Sequence, residues 1–143
     1  MLDKIDHIGI VAHSFDEARE VFVDKLGLTV DESRTKLPDG NLFKPQNTRI
    51  YFLRVAAAET RVEVLIPQDD VSGVARYLAK NGPGLHHICY GVRDMEGEIK
   101  RLRAAGIGQI DLGPSHDPAR LSAAFFYPKD VNGILTELIP WRP

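Results

Sequence analysis

The sequence IDHIGIV at residues 5–11 returns in altered form as LHHICYG at residues 85–91. A second motif also occurs in both halves, as VEVLIP at residues 62–67 and as TELIP at residues 136–140. When the halves are aligned on these stretches, His7 falls on His87 and Glu63 falls on Glu137. A duplication that keeps two imidazoles and two carboxylates in register predicts one divalent-metal site.

The first half has the pattern of a β-strand followed by a helix and further strands. Residues 4–12 are apolar and β-branched, as is typical of a strand. Ser14 and Glu17 have the spacing of a capping box, and Gly27 is placed to end the helix that follows. The apolar face of that helix is predicted at Ala18, Val21, Phe22 and Leu26.

The rest of the first half adds three strands and a connecting helix, and the second half then repeats the order of the first. Strands are predicted near residues 28–34, 48–55 and 61–66, with a loop over Leu37–Asn47. Asp69–Asn81 predicts a connecting helix. In the second half a strand at 85–92 precedes a helix capped by Asp94, and strands follow near residues 108–112, 121–127 and 134–139. Each half is therefore βαβββ.

These elements predict an α+β fold in a single domain over residues 1–143. Module one covers about 4–67, the connecting helix about 69–82 and module two about 84–140. Two such modules in one chain are expected to form a cupped sheet around the metal site.

Composition restricts the class of protein. The chain has 143 residues, 43% of them hydrophobic, and a formal net charge of -2, which fits one domain and lacks the basic character of a nucleic-acid-binding protein. Cys89 is the one cysteine, which fits a reducing compartment. No apolar run approaches the length of a membrane span, and the first strand begins close to Met1, so we expect a cytoplasmic protein without a targeting segment, or an organelle protein in its mature form.

The alternation of strand side chains places further residues near the predicted site. If His7 and His87 face a cavity, then Gly9 and Gly91 face it too and leave room for a ligand. Glu63 lies in an otherwise apolar run, where an ionised carboxylate is costly to bury without a metal or a cationic partner.

The other histidines have simpler interpretations. His86 should point to the opposite side of its strand from His87, as a packing or surface residue, and His13 should be exposed. His116 lies in a loop from which it could approach a substrate.

These residues resemble the vicinal-oxygen-chelate (glyoxalase/dioxygenase) superfamily, and within it the methylmalonyl-CoA epimerases. The similarity rests on residues 6–10, 74–78, 84–88 and 127–138. It implies one divalent ion (Co, Zn, Ni or Mn) bound by His7, Glu63, His87 and Glu137. It also implies an epimerase or isomerase that removes a proton next to a carbonyl, an acyl-CoA substrate and a homodimer.

The sequence departs from the epimerase pattern in two places. Gln46 stands where epimerases carry a glutamate that is a proposed acid/base residue, and residues 115–121 replace a glycine-rich loop. An amide cannot accept and return a proton as a carboxylate does. The catalytic positions are therefore predicted at Glu137 and Glu63, with Gln46 beside the substrate and with His116 or Asp117 as the alternative acid/base group on the second face.

Three alternatives use the same scaffold. A glyoxalase-like lyase would act on a hemithioacetal with the same two histidines and two glutamates. An iron dioxygenase would use two histidines and one glutamate, which Glu63 disfavours. A small-molecule binding protein would often lack the ligand set that this chain keeps.

Overall fold

The structure, a computed structural model, describes residues 1–111 and 122–141 of the chain. The chain divides into two compact units. The first unit is His7–His86, and the second comprises Met1–Asp6 together with the chain from His87 onward.

In the first unit, a mixed sheet carries helices on both faces. Its strands are β1 (Lys4–Val11, from His7 on), β2 (Thr29–Val30), β3 (Asn41–Phe43), β4 (Thr48–Arg54) and β5 (Arg61–Pro67). The order is β2-β4-β5-β1, with β3 also pairing with β4. The β1–β5 pair is parallel, whereas β4 runs antiparallel to β2, β3 and β5.

Two apolar clusters hold the helices against this sheet. Helix α1 (Phe15–Arg19) continues as a π-helical segment, Glu20–Lys25, and its Ala18 packs with Tyr51, Leu53 and Val64. Helix α2 (Gly73–Asn81) packs Val74 and Leu78 on Val11 and Leu65, which point to the other face of the sheet. The rest of that second face, around His7 and Glu63, lies outside both apolar clusters.

The second unit repeats the strand–helix–strand plan. It contains β6 (Gly84–Val92, from His87 on), α3 (Met95–Ala104), β7 (Ala124–Phe126) and β8 (Leu135–Pro140), with a 3₁₀ turn at Pro128–Asp130. The order is β6-β8-β7, with β6 parallel and β7 antiparallel to β8. Its core packs the helix residues Ile99 and Leu102 on Val92, Phe126 and Leu138.

The α+β class and the helix caps are confirmed. Ser14 Oγ accepts a hydrogen bond from Glu17 N at 3.1 Å, and Asp94 Oδ1 accepts one from Gly97 N at 3.0 Å. Gly27 ends the first helix with a φ of 82°, which a glycine adopts without strain.

The predicted apolar face of the first helix is wrong in part. Leu26 N donates to Val21 O, five residues earlier, so the segment turns more slowly than an α-helix. The slower turn moves Val21 and Leu26 to the surface, 44% and 63% exposed, and brings Phe22 and Val23 to the core.

Several predicted boundaries also shift. The predicted loop Leu37–Asn47 contains β3 and a 3₁₀ turn at Lys44–Gln46, because residues 41–43 pair with β4. The predicted strand at 28–34 is reduced to the two residues of β2. A strand was also predicted at 108–112; in the part of it that the structure describes, only Gln109 pairs, through a single bridge to Phe126. The connecting helix begins at Gly73 because Ser72 caps it. No helix among residues 1–111 and 122–141 is long and apolar enough to span a membrane.

Candidate metal centre

A histidine and a glutamate meet on one face of the first unit. Strands β1 and β5 run parallel with Gly9 opposite Glu63 and His7 opposite Arg61, so His7 is the diagonal neighbour of Glu63. His7 Nε2 lies 3.4 Å from Glu63 Oε2. Both residues are buried, 3% and 7% exposed.

The second unit contains the same arrangement. Strands β6 and β8 run parallel with Cys89 opposite Glu137 and His87 opposite Leu135. His87 Nε2 lies 3.1 Å from Glu137 Oε2, and both residues are buried. In each unit the histidine thus precedes, by two residues, the position that faces the glutamate. The duplication seen in sequence is therefore repeated in strand register and in side-chain contact.

The donor atoms of each pair suit a divalent ion. Imidazole nitrogens and carboxylate oxygens lie about 2.0–2.2 Å from zinc, so neighbouring donors on one ion are roughly 3.0–3.5 Å apart. The separations of 3.4 Å and 3.1 Å fall in this range. Nitrogen and oxygen donors in equal number are compatible with cobalt, zinc, nickel or manganese. A cation would also offset the cost of burying the carboxylates.

Phe52 borders the first pair. It lies opposite Glu63 in the β4–β5 ladder, and its ring meets the His7 ring edge-on at 5.7 Å between centroids. Phe52 also contacts Arg34, whose guanidinium carbon lies 4.2 Å from the centroid of the Phe52 ring.

A buried ion pair lies at the end of the same face. Arg61 Nε donates to Asp31 Oδ2 at 2.8 Å, and the Asp31 side chain is 1% exposed. Burial alone would raise the pKa of Asp31, but the hydrogen bonds from Arg61 and Ser33 and the Arg61 charge outweigh it and lower the pKa to about 2. The ion pair thereby fixes the side chain of Arg61, the residue that lies opposite His7 in the β1–β5 ladder.

Gln46 acts as a helix cap in the structure. Its Oε1 accepts a hydrogen bond from Val74 N, in the first turn of α2, at 3.2 Å. A Cβ on Gly73 would lie 3.0 Å from the same oxygen, so the glycine permits this approach. The amide oxygen of Gln46 is thus engaged by the backbone of α2.

We expect Gln46→Ala to lower the free energy of unfolding by about 1 kcal/mol, because a backbone N–H in the first turn loses its acceptor. Gln46→Glu is the matched control, since a carboxylate keeps the acceptor and is favoured at a helix N-terminus. Urea unfolding of both variants measures the difference. An unchanged midpoint in Gln46→Ala would show that this hydrogen bond contributes nothing.

The remaining predicted positions have different outcomes. His13 is exposed, and the half-buried His86 packs edge-on against Tyr77, with 4.8 Å between ring centroids. His116 and Asp117 lie outside the described residues. Gly91 differs from its expected role, because a Cβ there would lie 3.3 Å from Lys4 and 3.4 Å from Trp141. Its small size makes room for those two side chains.

Sequence reasoning missed Arg34, Phe52 and the Asp31–Arg61 pair. Arg61 could have been recognised in the sequence as a charged residue that directly precedes the apolar run containing Glu63. No local pattern marks Arg34, because it lies in a turn outside the strands and its aromatic partner, Phe52, lies on β4.

The fold and the two His–Glu pairs point to one class of protein. A family model described as Glyoxalase/Bleomycin resistance protein/Dioxygenase superfamily matches residues 6–125, and the chain belongs to this superfamily. Within it, the expected similarity to methylmalonyl-CoA epimerases is confirmed. The mitochondrial methylmalonyl-CoA epimerase of Dictyostelium discoideum is 28% identical over 96% of this chain and 78% of its own length.

Solved structures agree with this assignment. The methylmalonyl-CoA epimerase from Mycobacterium tuberculosis superposes with a TM-score of 0.80 at 27% identity, over 99% of this chain and 90% of that one. A methylmalonyl-CoA epimerase in complex with methylmalonyl-CoA and NH4+ superposes with a TM-score of 0.78 at 29% identity, over 98% and 95%.

Proposed function

We propose that this protein is a metal-dependent epimerase that removes and returns the proton next to the carbonyl of an acyl-CoA thioester, with methylmalonyl-CoA as the first candidate substrate. The observation that carries the proposal is the repeated His–Glu pair, formed in the same strand register in both units. The relatives support the substrate class, because one of them is a complex with methylmalonyl-CoA.

We propose His7, Glu63, His87 and Glu137 as the ligands of one divalent ion. A bound ion would supply Lewis-acid stabilisation of the negative charge that develops as the proton leaves. Within each pair the histidine Nε2 lies within 3.4 Å of the glutamate Oε2, so that one ion could contact both donor atoms.

Glu63 and Glu137 are the proposed acid/base groups. Epimerisation needs proton removal on one side of the α-carbon and delivery on the other, which requires two groups. With one carboxyl ionised and the other protonated, the first takes the proton while the second gives its proton to the opposite side, each through the carboxyl oxygen other than the Oε2 that would bind the ion. The two carboxyls then exchange roles in the reverse direction. Gln46 is excluded as a base by its amide chemistry, and the roles of His116 and Asp117 stay predictions.

A substrate comparison tests this proposal. We expect the metal-loaded protein to racemise a single epimer of methylmalonyl-CoA with a kcat/KM on the order of 10⁴ M⁻¹s⁻¹ or more, which is within the usual range for enzymes. Turnover of a glutathione hemithioacetal should be at least roughly 100-fold slower by the same measure. Circular dichroism of the thioester and absorbance of the product follow the two reactions.

The reverse preference would contradict the epimerase proposal and favour the glyoxalase-like lyase. That alternative is supported by one specific observation, namely a donor set of two histidines and two glutamates. The homodimer and the cytoplasmic location stay predictions, and sedimentation analysis tests the former.

A further inference from the structure

A phenylalanine lies opposite the glutamate of each His–Glu pair. Phe52 of β4 faces Glu63 in the β4–β5 ladder, and Phe125 of β7 faces Glu137 in the β7–β8 ladder. Both phenylalanines are half-buried, and neither belongs to the apolar clusters formed by the described residues of its unit. The duplication thus keeps an aromatic side chain beside each glutamate without using that side chain in the core.

The Phe52 ring reaches across β5 to His7. Neighbouring strands are about 4.8 Å apart, so β4 and β1, which flank β5, are separated by roughly 10 Å. The ring centroids of Phe52 and His7 are only 5.7 Å apart, with an angle of 79° between the ring planes. The two side chains therefore converge over the strand that carries Glu63.

The position of Phe52 is itself fixed, because the segment after β2 holds its backbone. Phe52 N donates a hydrogen bond to Thr35 Oγ1 at 2.9 Å, and Phe52 O accepts one from Asp31 N at 2.8 Å. Thr35 and Asp31 are both buried. The guanidinium carbon of Arg34 adds a contact to the ring, 4.2 Å from its centroid. Phe52 is therefore supported at its backbone and at its ring.

The imidazole of His7 depends on its neighbours for its orientation. Rotation about the Cβ–Cγ bond of histidine has only broad preferences, so packing has to set the direction in which the ring nitrogens point. In metal sites the groups around a ligand hold it in the binding geometry. Because the Phe52 ring lies against it, the His7 ring cannot turn far about this bond without losing or crowding that contact. Nε2 is thereby kept 3.4 Å from Glu63 Oε2.

We propose that Phe52 is a positioning residue for the metal site, whose ring holds the His7 imidazole in the orientation in which Nε2 and Glu63 Oε2 can contact the same ion. This inference rests on the proposed use of His7 and Glu63 as metal ligands. Phe52 acts through His7 in this role and contributes no donor atom of its own.

Titration of the purified protein with cobalt tests the proposal without turnover. We expect Phe52→Leu to weaken cobalt binding roughly 10-fold, at the lower end of the effect of residues that orient a metal ligand. The visible absorption of the bound cobalt should also change, because it depends on the geometry of the ligands. Phe52→Tyr keeps the ring and should recover most of the affinity. Phe52→Met provides the test if Phe52→Leu does not fold.

Phe15→Leu is the matched control for a loss of stability. It makes the same change in the same unit, on the opposite face of the sheet, where the Phe15 ring stacks on Tyr51 with 3.7 Å between centroids. Its cobalt affinity should stay within about twofold of the wild type, because distant sites act independently. This should hold even where its melting temperature falls as far as that of Phe52→Leu.

A measurement on the metal-free protein completes the test. Relaxation of the His7 ring carbons, assigned by their absence from the spectrum of His7→Gln, should show a more mobile ring in Phe52→Leu than in Phe15→Leu. Unchanged cobalt affinity, absorption and ring mobility in Phe52→Leu would overturn this inference and leave the proposed function intact. Wild-type protein that binds no divalent ion would instead overturn the proposed function, and this positioning role with it.

Discussion

His87→Ala should prevent metal binding and strongly slow α-proton exchange. Purified wild-type protein is expected to hold one divalent ion per chain, and the variant less than a tenth of that. Loss of the charge stabilisation that the proposed ion would supply should slow exchange by on the order of 10²–10³-fold, the effect of removing one strong stabilising donor from an active site. Elemental analysis and proton exchange in heavy water measure the two effects.

His86→Ala is the matched control. It removes the same side chain one residue away, where the imidazole packs against Tyr77, and should retain the ion and the exchange rate. His7→Ala should fail in the same way as His87→Ala, because both pairs are proposed to share one ion. Retention of an ion by either single variant would show that the pairs bind separately.

Asp31→Asn should produce the largest loss of stability, about 3 kcal/mol, because it leaves the Arg61 charge without its carboxylate partner. For a chain of this size, the melting temperature should fall by roughly 10 °C. Asp24→Asn, at an exposed position of the same unit, should change stability by less than about 0.5 kcal/mol. An unchanged melting temperature in Asp31→Asn would contradict the stabilising role of this pair.

The same pair predicts an acid transition. The folded-state pKa of Asp31, about 2, is depressed below its ordinary value of 3.8. A depressed carboxyl pKa stabilises the folded state above the ordinary value, and this contribution, about 2 kcal/mol, is lost as the pH falls toward 2. The difference in stability between wild type and Asp31→Asn should therefore shrink across this window.

The two His–Glu contacts were predictable from sequence for a definite physical reason. Strand side chains alternate with a period of two, and a duplication preserves both the alternation and the strand partner. His7 and Glu63, although 56 positions apart in sequence, are therefore brought together by the same β1–β5 register that β6 and β8 repeat for His87 and Glu137.

What could not be predicted depends on contacts between distant segments. The Arg34–Phe52 contact and the Asp31–Arg61 pair follow from how β2, β4 and β5 align, which no local pattern encodes. The hydrogen bond that Gln46 accepts from Val74 N joins residues that are 28 positions apart in sequence. The π-helical segment after α1 was missed because the apolar spacing was interpreted with a period of 3.6 residues.

Deuterium uptake at the α-carbon of methylmalonyl-CoA in heavy water is the decisive test of metal-assisted proton removal. The cobalt-loaded protein should incorporate one deuterium per thioester, and chelation of the ion should stop incorporation until metal is restored. Absence of uptake by protein shown to hold one ion per chain, or equal uptake after complete chelation, would contradict metal-assisted proton removal at the two His–Glu pairs.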